Sequence, residues 1–319
     1  MEKMRLAIGQ FNQLTDEMLL FAKQLGVRDI QLNTPVLPGD ARWEFMDLLH
    51  LRTRCEDAAL RLAAIENVPT RFYDQAMLGL PGRDEQIEHM ATTIRNMGRA
   101  GIPILGYHWM PNSVWRTSST TPGRGGARVT SFDMELVRNA PLSHGRVYTE
   151  DEMWATFRYY VQALLPVAEE AGVKLALHPD DPPVESLGGI ARIFRSFEGF
   201  KRAMEIGDSP AHGLDFCHGC WSEMGPGVLD AIRHFGERGK ILYVHLRDVQ
   251  GIVPRFRESF VDEGNSDILE VLKTLREVGF TGLLLPDHVP HMVNDTPWGH
   301  RSWAYAVGYI KALVSVVER

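Results

Sequence analysis

The amino-acid sequence predicts an α/β fold, a single (β/α)8 barrel that spans residues 1–319. Short apolar and β-branched runs alternate with amphipathic stretches along the whole chain, which is typical of βα units and a parallel sheet. Eight runs of each kind can be counted, as a closed barrel requires. A chain of 319 residues could also form two average domains, but no Pro- or Ser-rich linker divides it, which favours one barrel.

The predicted strands are short apolar runs of the length that barrel strands have. In chain order we place them at residues 6–9, 29–32, 62–68, 102–107, 174–178, 213–216, 241–246 and 282–285. We expect all eight to be parallel, because an amphipathic stretch long enough for a crossover helix follows each of them.

The predicted helices lie at residues 16–25, 43–60, 83–99, 150–171, 190–205, 227–239, 267–278 and 302–317. Thr15 and Thr149 precede acidic residues at two helix starts, where a hydroxyl accepts a hydrogen bond from a free N–H group. Gly26, Gly172 and Gly279 follow helix ends, where a residue free to adopt a positive φ closes the helix. The signals at both helix ends therefore agree with the periodicity.

One segment does not fit an ideal barrel. Residues 111–143 are rich in Gly, Ser, Thr, Pro and Arg, and they follow the fourth strand. A loop of this length in a compact domain is usually a lid, a binding loop or disordered. We expect an active-site lid, since loops after barrel strands build the face where barrel active sites lie.

The composition excludes several classes of function. The net charge is −7 and no run of five basic residues occurs, so nucleic acid is not an expected partner. No apolar run approaches the length of a membrane span, so no membrane partner is expected either. Three cysteines and no charged-then-apolar leader before Arg5 predict a cytoplasmic protein without a disulfide framework. A homo-oligomer is left open.

Potential metal ligands follow four successive predicted strands. They are His178, Cys217, His245 and Asp287. A single histidine or cysteine is more often a packed core residue than a ligand, but equivalent positions on adjacent strands converge on one point above a barrel. A set of nitrogen, sulfur and oxygen ligands suits Mn²⁺, Fe²⁺, Co²⁺ or Zn²⁺ better than Mg²⁺ or Ca²⁺. We therefore predict a divalent transition-metal site.

Other polar residues at the same end are candidates for substrate contacts. Glu66, Tyr107 and His108 are predicted to bind substrate hydroxyl groups. Arg247 is predicted to bind an anionic group, with an ion pair to Asp248 as the alternative. Asp180 and Asp181 lie near these residues and are expected to orient ligating histidines or to accept hydrogen bonds from the loop. Cys220 is expected to be structural. His218 is expected either to face the helices or to orient a ligand.

The chain resembles the mannonate dehydratases of hexuronate breakdown. The residues that carry the resemblance are Pro166 to Lys174, His178 to Pro183 with the sequence HPDDPP, Phe216-Cys217, His245 to Arg247 and Pro286 to His288, together with Asn96-Met97, Ala100 to Ile102, Tyr107 to Pro111 and Trp115. The resemblance implies a metal-dependent barrel of the xylose-isomerase-like type that uses Mn²⁺ or a similar ion to convert D-mannonate to 2-keto-3-deoxy-D-gluconate. It also implies that His178, Cys217, His245 and Asp287 are metal ligands and that His288 is catalytic.

Two positions depart from the family pattern. Leu285 stands where the family usually has arginine, and His300 lies where it has a catalytic tyrosine. Removing a proton next to a carboxylate and expelling a hydroxide from the neighbouring carbon requires a base and an acid. We expect His288 to be one of them and His300 the other, with a surface histidine at a helix start as the alternative for His300.

Three functions are compared on these residues. The first is a sugar-acid dehydratase, a hydro-lyase whose small-molecule partner is a sugar acid. The second keeps the metal and the barrel but isomerises, epimerises or cleaves a keto sugar; the His, Cys, His, Asp set favours the first, because such isomerases usually use ligands rich in Glu and Asp. The third is a non-catalytic sugar-binding barrel, suggested only by the two departures.

Overall fold

The computed structural model describes residues 3–319 and contains a closed barrel. The strands are β1 (Arg5–Ile8), β2 (Asp29–Asn33), β3 (Arg61–Glu66), β4 (Ile104–Tyr107), β5 (Ser118–Pro122), β6 (Arg128–Asp133), β7 (Lys174–Leu177), β8 (Ser186–Leu187), β9 (Ile190–Ala191), β10 (His212–Cys217), β11 (Ile241–His245), β12 (Val249–Ile252), β13 (Arg255–Glu258) and β14 (Leu283–Leu285). Eight of them close the barrel in the order β1, β14, β11, β10, β7, β4, β3, β2. Every neighbouring pair in the barrel is parallel, which confirms the predicted fold.

Helices surround the barrel. They are α1 (Asp16–Gln24), α2 (Phe45–Asp57), α3 (Asp74–Leu78), α4 (Arg83–Ala100), α5 (Met134–Val137), α6 (Glu150–Ala171), α7 (Phe197–Ile206), α8 (His218–Glu223), α9 (Val228–Gly236), α10 (Ile268–Glu277) and α11 (His300–Val317). Thr15 and Thr149 cap α1 and α6 as expected, and Gly172 ends α6 with a φ of 67°. Within residues 3–319, no helix has the length and apolar character needed to cross a membrane.

The predicted helix at 190–205 begins later in the structure. Ile190–Ala191 forms β9, which pairs with β8 across a turn at Gly188 and Gly189. Both glycines adopt positive φ values, 50° and 81°, which favour glycine, and they turn the chain back on itself. The helix α7 starts only after Ser196, whose side chain accepts a hydrogen bond from the Gly199 N–H.

The core has two parts that together position the functional end of the barrel. Large apolar side chains fill the layer between the strands and the helices. A smaller cluster includes side chains inside the barrel, and it consists of Ala7, Ala63, Ala64, Ile104, Ala176, Leu242, Tyr243, Leu283 and Leu285. Buried polar residues instead collect where the strands end, among them Glu66, His178, Asp215 and His245. The apolar floor therefore supports a polar layer at the carboxyl ends of the strands.

The segment 111–143 is a hairpin with a short helix. Its strands β5 and β6 join β13 and β12 in a four-stranded antiparallel sheet. Phe132 of β6 is fully buried and packs against Phe256 of β13, with ring centroids 5.9 Å apart. The local sequence does not reveal this pairing, because the partner strand β13 lies more than 120 residues along the chain. The expected lid function stays a prediction.

We predict that Phe132 anchors this hairpin. Phe132→Ala removes a buried aromatic side chain, which costs about 3 kcal/mol or more, and the loss falls on the hairpin sheet and leaves the barrel intact. Trypsin should then cut at the exposed Arg124 and Arg128 at least about tenfold faster, while the barrel unfolds at nearly the wild-type temperature.

The matched control for this prediction is Leu136→Ala, because Leu136 is 72% exposed on the same segment. Equal cleavage rates in the two variants would contradict the anchoring role of Phe132. The same assay tests the lid, since a lid predicts slower cleavage of the wild-type hairpin when its ligand is bound.

Candidate metal centre

The four predicted metal ligands lie together at the carboxyl end of the barrel. Cys217 and His245 are the last residues of β10 and β11, His178 follows β7, and Asp287 lies two residues after β14. All four are buried, with exposures of 8% or less. Parallel neighbouring strands end at the same edge, so the strand order itself brings these side chains to one place.

Their ligand atoms fall into overlapping groups. The ligand atoms of Cys217, His245 and Asp287 lie within 4.8 Å of one another, and those of His178, Cys217 and Cys220 form an overlapping group. The rings of His178 and His245 have centroids 5.7 Å apart. A third group within the same distance joins Glu66 and Asp215 to the two histidines. The structure therefore brings the four predicted ligands together and adds two carboxylates.

The backbone and a carboxylate orient the two histidines. His178 Nδ1 lies 2.7 Å from the Pro179 carbonyl oxygen, which can only accept, so Nδ1 carries a proton and Nε2 is the nitrogen left for a metal ion. His245 Nε2 lies 3.0 Å from Glu66 Oε2. Such a partner fixes the ring and makes the opposite nitrogen a better ligand. Glu66, predicted to bind substrate, is therefore placed as the partner of His245.

Three buried atoms in this centre lack a hydrogen-bond partner among the described residues. They are His245 Nδ1 and both carboxylate oxygens of Asp215. His245 Nδ1 faces Asp215 Oδ1 at 3.6 Å and Asp287 Oδ2 at 3.8 Å, both too long for hydrogen bonds. Buried polar atoms without partners are rare in proteins, and an ion that binds there is one explanation for them.

Asp215 was not selected from the sequence, although a signal for it exists. Side chains alternate between the two faces of a strand, so Asp215 and Cys217 of β10 point to the same face. All six residues of β10 are buried, so a carboxylate within this strand needs a partner. Because Asp215 lies two residues before Cys217, that partner has to lie on the same face, inside the barrel.

The charges of the centre fit a divalent cation. Burial opposes ionisation of Cys217, but the Cys220 hydrogen bond and the Arg247 charge hold the pKa of its thiol well below the usual range. Burial also opposes charging of His178, yet Asp215 and Cys217 raise its pKa to about 10. Burial raises the pKa of Asp215 itself to about 8. The site thus attracts positive charge, which a metal ion supplies while the imidazoles stay neutral.

Arg247 does not have the free guanidinium that binding an anionic substrate would require. Its five N–H groups face side-chain atoms at 2.9 to 3.2 Å, those of Asp181, Cys220, Glu223, Glu258 and Asp287. The alternative pair with Asp248 is not formed either, because that carboxylate accepts from Ser222 Oγ and the Ser266 N–H. Arg247 instead neutralises buried carboxylates beside the metal ligands.

A second arginine, Arg116, completes this network from the hairpin. Its Nη2 lies 2.8 Å from both Asp181 Oδ2 and Glu258 Oε1, and its Nη1 bonds the other oxygen of Asp181. Its Nε is buried and has no partner among the described residues. No sequence pattern marks Arg116 as a site residue, because its place at the barrel opening depends on contacts between segments far apart in the chain.

His288 lies next to the ligands and faces the opening. Its Nδ1 is 2.9 Å from Glu258 Oε1, and its Nε2 is 3.7 Å from Asp287 Oδ2. Its side chain is 35% exposed, in contrast to the buried ligands. Its φ of 37° is the left-handed conformation, which a residue other than glycine adopts at an energetic cost. His288 is therefore placed where it can meet a small molecule bound at the centre.

Tyr107 and His108 make contacts with protein groups outside the set of predicted ligands. Tyr107 faces the helices, and its hydroxyl lies 2.8 Å from His212 Nε2. Strand alternation explains this, because Gly106 faces the interior, where an added Cβ would touch Tyr243 Oη and Glu66. His108 is buried, with its Nδ1 accepting from the Met110 N–H, and burial lowers its pKa to about 3.

His300 also lies away from the centre. It is the first residue of α11, and its ring turns back to Thr296, whose Oγ1 is 2.6 Å from His300 Nδ1. Its Nε2 lies 3.4 Å from Glu17 Oε1, and its ring packs edge-on against Phe21 and Trp298. The helix start therefore holds His300 against α1 and not beside the predicted metal ligands.

The remaining residues named from the sequence have structural contacts. Asp180 accepts from the Phe194 N–H at 2.6 Å, while Asp181 pairs with the two arginines. His218 Nδ1 lies 2.6 Å from the Arg247 carbonyl oxygen. Cys220 is buried and accepts from Arg247, so it serves the network around the ligands.

The chain is similar to proteins of one enzyme family. Residues 4–145 and 142–319 match the family model of D-mannonate dehydratase (UxuA). Mannonate dehydratase 2 of Halalkalibacterium halodurans is 31% identical over 315 residues, which cover 89% of this chain and 90% of that protein. The mannonate dehydratase of Thermotoga maritima is 30% identical over 290 residues, with 79% of each chain covered.

Solved structures agree with this similarity. The crystal structure of mannonate dehydratase from Streptococcus suis serotype 2 superposes with a TM-score of 0.91 at 28% identity, covering 100% of this chain and 95% of that one. An L-ribulose 3-epimerase superposes with a TM-score of 0.65 at 17% identity, covering 99% and 96% of the two chains, and supports the barrel fold alone.

We predict that Cys217→Ala and His245→Ala lower the metal content at least about tenfold, because each removes one of the three donors in the group that Cys217 and His245 form with Asp287. The measurement is bound metal per chain after dialysis against a divalent ion. Both variants should keep the wild-type circular dichroism spectrum, since the centre lies above the apolar floor. The control is Cys55→Ala, which removes a buried cysteine of α2. Full metal content in the Cys217 variant would reject the site.

Proposed function

The chain belongs to the D-mannonate dehydratase family, and we propose that it converts D-mannonate to 2-keto-3-deoxy-D-gluconate. It is a hydro-lyase that acts on a sugar acid. The observation that carries the proposal is the convergence of His178, Cys217, His245 and Asp287 with His288 beside them at the opening. In this reaction the C2–H and C3–O bonds break, water leaves, and the enol formed at C2 becomes the keto group.

The four converging residues are proposed as the metal ligands. The family is metal-dependent, and the described residues contain overlapping groups that can hold an ion. We propose Mn²⁺ as the native metal, with Fe²⁺, Co²⁺ and Zn²⁺ as the ions to compare with it. A bound divalent ion supplies Lewis-acid stabilisation of the negative charge that develops on the carboxylate oxygens. Glu66 and Pro179 keep the two ligating imidazoles oriented for that ion.

His288 is proposed to exchange a proton with the substrate. Its Nδ1–H donates a hydrogen bond to the Glu258 carboxylate, which leaves Nε2 to face the reacting carbons. Glu258 is itself held by Arg116 and Arg247, so the orientation of the ring depends on the buried network. A histidine with one nitrogen anchored and the other at the opening fits a general acid or base.

The network also gives the hairpin a role at the site. Arg116 enters the network from the start of the hairpin and contacts Asp181 and Glu258. We propose that residues 111–143 close the site when substrate binds, which would exclude water from the reacting carbons.

We predict that the protein loaded with Mn²⁺ turns over D-mannonate in a screen of aldonates. The measurement is formation of a 2-keto-3-deoxy product, which periodate and thiobarbiturate detect. D-Gluconate, which differs only at C2, should react far more slowly, since the proton at C2 then points away from the base. Isomerised or epimerised keto sugars without a deoxy product would favour the isomerase alternative. No turnover of any aldonate with any of the four ions would reject the dehydratase.

We predict that His288→Gln lowers turnover on the order of a hundredfold or more, the size of effect that a positioned proton-transfer group has. Its metal content should stay close to that of the wild type, because His288 is not one of the proposed ligands. The matched comparison is His300→Ala, which should keep most of kcat and act mainly on KM, since its ring packs on Trp298 and does not face the predicted ligands. A hundredfold loss in His300→Ala instead would support the role that the sequence analysis assigned to it.

A further inference from the structure

We propose that the ends of β1 and β2 form the subsite for the hydroxyl-bearing tail of the sugar acid, an inference that rests on the proposed function. Gln10, Asn33 and Thr34 supply its hydrogen-bonding groups, and Trp298 supplies its apolar wall. These residues lie on the side of the barrel opening that the metal ligands do not occupy.

A cavity of about 570 Å³ lies at this place. This volume is in the range of small-molecule sites. Its lining contains amides, hydroxyls and apolar side chains but no lysine, arginine, aspartate or glutamate. Neutral groups that both donate and accept hydrogen bonds match the hydroxyl groups of a polyol, whereas a carboxylate requires positive charge. The cavity therefore suits the uncharged end of the sugar acid.

A chain of side-chain amides joins this cavity to the metal centre. Asn33 Nδ2 donates to Gln10 Oε1 at 2.6 Å, and Gln10 Nε2 donates to Glu66 Oε2 at 2.9 Å. Gln10 Nε2 also lies 3.4 Å from His245 Nε2. One molecule can thus reach from the ligands into the cavity, because Gln10 borders both.

The amides keep unused hydrogen-bonding capacity. Asn33 uses one of its two amide N–H groups for Gln10, and its Oδ1 accepts from Thr34 Oγ1 at 2.9 Å. Among the described residues, nothing donates to the Thr34 hydroxyl, and nothing accepts the second N–H of Asn33. Asn33 and Thr34 are half-exposed and line the cavity, where substrate hydroxyl groups can form hydrogen bonds with them.

The backbone provides a second, independent observation. Gln10 has a φ of 62°, Thr34 of 43° and Asn67 of 60°, and each lies at or just after the end of a barrel strand. The same left-handed conformation occurs at His288, after β14. Residues other than glycine rarely adopt it, and such strain concentrates at functional sites. The strained positions therefore extend from the proposed catalytic histidine to the proposed subsite.

Trp298 is fixed as a wall of the cavity. Its indole Nε1 donates to the Gln10 carbonyl oxygen at 3.1 Å, so the ring is tied to the end of β1. It stacks on Trp303 with an interplanar angle of 5° and a centroid distance of 4.9 Å. Ordered aromatic surfaces pack against the C–H groups of sugars and lose little entropy on binding.

The test compares aldonates of six and four carbons in Asn33→Ala and Thr34→Val. Both acids contain the carboxylate, C2 and C3, but the four-carbon acid lacks most of the hydroxyl-bearing tail. We compare the kcat/KM value for the six-carbon acid with that for the four-carbon acid. The ratio of the first to the second should fall about tenfold in each variant, mainly because KM for the six-carbon acid rises. The matched control is Thr120→Val, an exposed threonine of the hairpin, which should keep the wild-type ratio. An unchanged ratio in both subsite variants overturns the subsite while the dehydratase stands.

A binding measurement separates this inference from the proposed function. A 3-deoxyhexonate lacks the leaving hydroxyl group, so its affinity can be measured by calorimetry without turnover. Asn33→Ala and Thr34→Val should weaken this binding about tenfold relative to Thr120→Val, even if no aldonate is dehydrated. Equal affinities in all three variants overturn the subsite, and a wild-type protein that does not bind the probe overturns it as well.

Discussion

The crowding of buried negative charge at one end of the barrel is the constraint on which the rest of the site depends. Parallel strands bring their carboxyl ends to one edge, so the carboxylates of Glu66, Asp215 and Asp287 and the thiolate of Cys217 have to lie together. Burying such charges without partners costs several kcal/mol for each one. A fold that keeps them needs compensating positive charge at the same edge. That charge comes from arginines in the loops at this edge and, in the proposed function, from a divalent ion.

Two arginines compensate part of this negative charge, and the proposed ion compensates another part. Arg247 extends from the strand edge, and Arg116 enters from the hairpin, and both neutralise Asp181 and Glu258. Neither bonds to Asp215, whose oxygens have no partner among the described residues. This leaves the buried Asp215 carboxyl group as a further donor for the proposed metal ion. The arrangement also explains why Arg247 is unsuited to an anionic substrate: a guanidinium with five partners has no donor left to offer.

Much of this could be predicted from the sequence, because it depends on local patterns. Strand ends are visible in apolar runs, and so the sequence alone is enough to place His178, Cys217 and Asp287 at one edge. Alternation along a strand also places Asp215 on the face of Cys217 and Tyr107 on the helix side. The pairing of strands that lie far apart in the chain cannot be predicted from local patterns. Arg116 lies directly before a hairpin whose strand β6 pairs with β13, and no local signal specifies that partner.

The two departures from the family pattern fall on different parts of the site. Leu285 is fully buried in the apolar cluster inside the barrel, beneath the ligand layer, where it cannot touch a substrate. His300 packs edge-on against Trp298, the wall of the cavity proposed for the sugar tail. A change at 285 therefore alters the floor under the ligands, while a change at 300 alters the support of the cavity wall. The two departures therefore lie on separate features, one beneath the predicted metal ligands and one beside the subsite proposed for the sugar tail.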